Sequence, residues 1–108
     1  MGDVQHVGLA AGRWQSLSLA EQLGNVGSEV GRAVHARDEA ARQAAALRAL
    51  ELLDLTLADK RWYGRGSEVA RAREVFCDWL SGANHYHTDT ADLERYFMQF
   101  ALAARLNR

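Results

Sequence analysis

The chain has 108 residues, the usual length of a single domain. Hydrophobic residues make up 48% and charged residues 25%, the balance of a globular protein with one modest core. A formal net charge of −1 excludes a global field that would gather nucleic acid or an acidic membrane, and a single cysteine excludes an internal disulfide.

No apolar run reaches the length of a membrane span, and the first residues lack the basic, apolar and small-residue pattern of a signal peptide. With the lone Cys77, these features lead us to expect a cytoplasmic protein with no membrane partner. There is no proline, and alanine, leucine, arginine and glutamate dominate the middle of the chain, so the strongest helix breaker is missing where good helix formers are dense. No run of alternating β-branched residues suggests a sheet.

Residues 1–13 show no sustained period and read as a mobile extension to a single domain over 14–108. Trp14 and Leu17 follow as an apolar lead-in that folds back on the first helix. Ser18 and Glu21 then form the Ser-x-x-Glu pattern of a capping box, which starts a helix running to about Ala36. At 100° per residue, Leu19, Leu23, Val26, Val30 and Val34 fall on one apolar stripe. Beside it, Gly24, Gly27 and Gly31 make a ridge of glycines. Each mid-helix glycine costs about 1 kcal/mol against alanine, so three in register imply that another helix backbone crosses where a Cβ would clash. The competing reading is a weak helix broken at Gly24 or Gly31.

Asp38 is the best N-cap for a second helix, expected from Glu39 to Lys60 with Gly64 and Gly66 closing it. Ala46, Leu47, Leu50, Leu53 and Leu57 form its main face, while Leu52 and Leu55 point elsewhere. Ser67 is the expected N-cap of a third helix whose apolar face is Val69, Ala72, Phe76, Trp79, Leu80 and Ala83, with Gly82 as its stop. The loop 84–88 leads to a fourth helix capped by Asp89 or Thr90. Its buried stripe is Leu93, Tyr96, Phe97, Phe100 and Ala104, with Met98 and Leu102 on another side. Four helices with short connections predict an all-α, antiparallel four-helix bundle.

Three groups of residues are candidates for function. Asp54 lies among the leucines of the second helix and Arg73 at the edge of the third helix's apolar face; charges there are costly unless paired, which predicts a buried Asp54–Arg73 pair that either fixes helix register or forms a polar site. Lys60, Arg61, Trp62, Tyr63 and Arg65 place cations among aromatics at a glycine loop, a pattern suited to RNA phosphates and stacked bases; cations at the C-terminal end of a helix dipole account for Lys60 and Arg61 equally well. His85 and His87, with Asp89 beyond, have a spacing that can bring two imidazoles to one metal, but no second fixed ligand pair accompanies them. We therefore expect no metal and no cofactor.

The apolar residues off the main faces point to a partner. Leu52, Leu55, Met98 and Leu102, together with Gly24, Gly27 and Gly31, form an expected interface with a second copy or another protein. RNA is the alternative partner, through the basic-aromatic loop.

Four stretches carry a family resemblance: Trp14–Val30, Arg48–Asp59, Arg71–Trp79 and Asp92–Ala101. They resemble a widespread family of small all-helical bacterial proteins, which implies a helical bundle over roughly Arg13 to Arg105 and no particular activity. That family's loop before the last helix usually reads like Gly-Asp-Asn-Glu-Tyr; here it is Gly82-Ala-Asn-His-Tyr-His87, so the histidines look peculiar to this chain. By architecture the chain also resembles the HEPN-type bundles that accompany small nucleotidyltransferases in toxin–antitoxin pairs, which implies an RNA-processing role. The HEPN ribonuclease motif needs an arginine followed a few residues later by histidine on a late helix, and the fourth helix has Arg95 and Arg105 with no histidine.

Overall fold

A computed structural model describes residues 12–106; the reading of residues 1–11 as an extension lies outside the described residues. Four helices follow in order: α1 (Leu19–Val34), α2 (Glu39–Leu57), α3 (Gly66–Ser81) and α4 (Thr90–Leu106). Short 3-10 turns at Trp14–Ser16 and Lys60–Arg65 precede α1 and α3. Among the described residues there is no strand, and the architecture is an all-α four-helix bundle. Each helix packs on the next and α4 returns to α1, with the α1–α2 and α1–α4 seams the most extensive. The pairs run antiparallel: Gly24 lies by Ala101 and Gly27 by Phe97, while Asp54 reaches Arg73 and Arg42 reaches Leu80.

Local chemistry sets most helix ends. Ser18 Oγ accepts from the Glu21 amide at 3.1 Å and Glu21 Oε1 accepts from the Ser18 amide at 2.8 Å, completing the capping box. Asp38 caps α2 by accepting from the Ala41 amide at 2.7 Å, and Asp89 accepts from the Asp92 amide at 2.8 Å at the start of α4. Gly82 ends α3 in the left-handed conformation with φ of 79°. The α2–α3 junction departs from expectation. Helix α2 stops at Leu57, not near Lys60, and Gly64 and Gly66 do not terminate it. Instead Asp59 turns inward, caps the 3-10 turn through the Arg61 amide, and that turn runs straight into α3, whose first residue is Gly66.

The core is built around α1. Trp14, Leu19, Leu23, Val26 and Val30 pack with Leu52, Leu53, Val69, Phe76, Leu93 and Phe97. The glycine ridge works as a close crossing with α4. A Cβ on Gly27 would stand 3.0 Å from Phe97 Cβ, and one on Gly24 would stand 3.4 Å from the Ala101 backbone. At Gly31 the space is open.

The face of α2 differs from the expected one. Its buried residues are Ala45, Ala46, Ala49, Leu52, Leu53 and Thr56, and Leu47 is 58% exposed. Leu52, assigned from sequence to an interface, is a core residue, and Leu55 packs half-buried against that core. The physical reason is compositional. Leucines occur on every side of α2, so they do not mark one stripe; three alanines allow α1 to approach, and that approach fixes the buried side.

Candidate interaction surface

The polar groups of the interior hold the framework. Gln22 is fully buried on the flank of the α1 stripe. Its Nε2 donates to the Trp14 carbonyl at 2.9 Å and to Asp59 Oδ2 at 3.1 Å, and its Oε1 accepts from the Trp62 indole at 2.9 Å. Arg61 clamps Asp59 from the other side, with Nη2 at 2.7 Å from Oδ2 and Nε at 3.1 Å from Oδ1, and reaches the Leu17 carbonyl at 2.8 Å. The Arg61 hydrogen bond and the Gln22 amide outweigh burial and lower the Asp59 carboxyl to about 2. Arg61 also lies 4.3 Å over the Trp62 ring.

This arrangement changes the reading of the basic-aromatic loop. Arg61 and Trp62 are engaged in tying the N-terminal lead-in to the α2–α3 junction, and Arg65 pairs with Glu68 at 3.1 Å. Lys60 and Tyr63 are the members of the set left exposed without such ties. A cleft of about 500 Å³ lies nearby, walled by Trp62 and Phe100 and rimmed by Arg65, Glu68 and Gln99.

Asp54 and Arg73 do meet, with Nε 3.2 Å from Oδ1, but at the surface: their side chains are 62% and 40% exposed. The expected buried pair is therefore corrected to an exposed one, because the side of α2 carrying Asp54 turns to solvent when Ala49, Leu53 and Thr56 face inward. Beside Asp59, the other buried carboxylate in an ion pair is Glu29, 9% exposed at its side chain, which accepts from Arg48 of α2 and Arg32 of α1, each at 3.0 Å. Gln22 and Glu29 both sit three residues after an apolar position of α1, on the flank of the stripe away from the glycines, and that spacing was the available signal for them.

Before α4, Asp78 fixes the loop. Its carboxylate accepts from the His85 amide at 2.8 Å and the Tyr86 amide at 3.1 Å. Burial pushes this carboxyl up, but the two amides and the nearby His85 and His87 outweigh it, so it lies below the usual carboxylate range. His85, His87 and Asp89 are exposed, and among the described residues no group of three or more His, Cys, Asp or Glu side chains is placed to hold a metal ion. Cys77 is half-buried, with the Arg73 guanidinium 3.7 Å from its sulfur.

The outer edge of α4 is different in kind. Met98, Leu102 and Leu106 are 50%, 48% and 84% exposed, and their spacing of four places them in a row along the helix. Met98 also rims a groove of about 180 Å³ between α1 and α4, floored by Gly24, Gly27, Ser28 and Gly31. Of the residues expected at an interface, Gly31, Met98 and Leu102 remain on an open surface; Gly24 and Gly27 pack α4 within the chain, and Leu52 and Leu55 belong to the interior. Charges mark the two ends of the α4 row. Glu94 accepts from His35 Nε2 at 2.9 Å near its start, and Arg105, with no ion pair among the described residues, stands near its end. A second apolar recess at Leu47, Leu50 and Leu80 is bordered by Glu39, Arg42 and Gln43, which already bond to one another.

No protein-family model, no curated protein and no solved structure gives a significant match to this chain. Among the described residues, no helix is long and apolar enough to cross a membrane.

Proposed function

We propose that this chain is a non-catalytic helical interaction module that docks protein chains along the outer edge of α4. The observation that carries this reading is the exposed row of Met98, Leu102 and Leu106, whose first member rims a glycine-floored groove. Large apolar side chains scattered singly need no explanation, but apolar residues at successive i, i+4 positions along one helix are the form in which a helix presents anchors to a partner. The interior supports the same reading, since the Gln22–Asp59 and Glu29–Arg48 contacts hold a rigid framework behind the surface. The lone cysteine and the resemblance to small bacterial helical proteins support a cytoplasmic, bacterial setting.

Photo-crosslinking in the native cell tests the proposal. A photoreactive residue at Leu102 should yield discrete protein adducts, whereas the same residue at Tyr63, which is 66% exposed on the turn before α3, should not. Equal, diffuse labelling from both positions would remove the reading.

A further inference from the structure

We infer that the occupant of this surface is a second copy of the same chain, held by antiparallel pairing of two α4 helices about a twofold axis between Met98 and Leu102. The inference rests on the reading of α4 as a docking surface and names its partner.

The outer face of α4 is self-complementary. A twofold contact matches each surface with itself, so a suitable surface must carry its own complement in reversed order. Successive residues on a helix turn by 100°, which puts Glu94, Met98, Leu102 and Arg105 within a single outer stripe. The stripe reads acidic, apolar, apolar, basic. Reversed and laid on itself, it places Met98 beside Leu102 of the second copy and Glu94 beside Arg105, twice over. Parallel pairing would put Glu94 on Glu94 and Arg105 on Arg105 and is repelled at both ends. Arg105 has no ion pair among the described residues, and Glu94 offers Oε1 beyond the oxygen that accepts from His35.

The size of the face sets the strength. Helix α4 spans 17 residues, so it is about 25 Å long at 1.5 Å per residue. With the neighbouring edge of α1, two copies would bury on the order of 1,000 Å², the lower limit for a specific interface. An interface at that limit is of the weak class, so the dimer exchanges with monomer.

Sedimentation equilibrium of the full chain from micromolar to millimolar concentration, at low and high salt, tests this. A monomer–dimer equilibrium weakened by salt is expected. Glu94→Arg and Arg105→Glu should each weaken association by roughly tenfold to a hundredfold, since each replaces two exposed attractions by two repulsions. The double variant should restore it, and Leu102→Glu should leave only monomer. Circular dichroism melts confirm that each variant is folded. A chain monomeric throughout, a dimer indifferent to the charge changes, or a double variant no better than the singles would each overturn the inference. If the chain is monomeric while Leu102 crosslinks to another protein in the cell, the dimer fails and the docking surface stands. If it is monomeric and Leu102 yields no adduct, both fail.

Discussion

Replacing the ridge glycines one at a time by alanine separates helix propensity from packing at the α1–α4 crossing. Each substitution gains up to about 1 kcal/mol of propensity in a helix interior. At Gly31 nothing lies within 4 Å of the added methyl, so that gain should appear almost whole. At Gly24 the methyl meets the Ala101 backbone at 3.4 Å, the near limit of ordinary contact and against main chain that cannot swing aside, so part of the gain is lost and the result should be near neutral. At Gly27 it meets Phe97 Cβ at 3.0 Å. Phe97 is 2% exposed and packs edge-on against Tyr96 and Phe100, so it has little room to yield. Overpacking a filled site costs about 1–3 kcal/mol, which offsets the propensity gain and leaves a net loss of about 0–2 kcal/mol. Thermal melts in a Leu102→Glu background keep self-association out of the readout. The midpoints should fall in the order Gly31→Ala, Gly24→Ala, Gly27→Ala, with about 4–8 °C for each kcal/mol in a domain of this size. Gly27→Leu should be worse than Gly27→Ala. A raised midpoint for Gly27→Ala would show that the helices do not cross closely there, and the account of the ridge would be wrong.

Two further predictions concern charge. Glu29→Ala leaves Arg48, 26% exposed, without its carboxylate and should cost about 1–3 kcal/mol in urea unfolding, whereas Asp54→Ala removes an exposed pair and should cost under about 1 kcal/mol. Equal losses would contradict the assignment of Glu29 as the interior contact. The Asp59 carboxyl is lowered from 3.8 to about 2 in the folded chain, so it remains charged there after the unfolded chain has bound a proton. Its stabilising contribution is complete above 3.8 and is lost as pH falls towards about 2. Unfolding measured across that window should show a shallower acid dependence for Asp59→Asn than for the parent chain, and parallel curves would show that Asp59 is not held as described.

The features legible in the sequence were those whose cause is local. Ser18 with Glu21, Asp38, Gly82 and Asp89 act on amides within a few residues of themselves, so their effect is written next to them. The glycine ridge was also legible as a crossing, because three costly residues in register need a cause, although only Gly24 and Gly27 meet another helix. What sequence could not resolve was competition between faces. In α2, leucines on every side left the choice of core face to the approach of α1, and with it the burial of Asp54 and Leu52. The basic-aromatic loop misled for a related reason. Arg61 and Trp62 have the residue types of a nucleic-acid contact, yet their partners, Asp59 and Gln22, include one that lies 40 residues away in the chain from Trp62. For the outer edge of α4, Met98 and Leu102 stood off the buried stripe on periodicity alone, and they are exposed.

The Asp78 carboxylate carries a consequence for how this molecule tolerates change. It grips the main-chain amides of His85 and Tyr86, so the backbone there is held from within α3, and the Tyr86 ring adds contacts to Arg71 and Glu74 of the same helix. Shape is thereby uncoupled from the side chain at position 85, since the bond is made to its amide. His85 hangs from a backbone its imidazole does not set, whereas His87, with φ of 51°, stands in the left-handed region that favours glycine or asparagine. Position 85 is thus a mounting point: its side chain can be exchanged for one that makes a new contact while the amide grip beneath it stays in place.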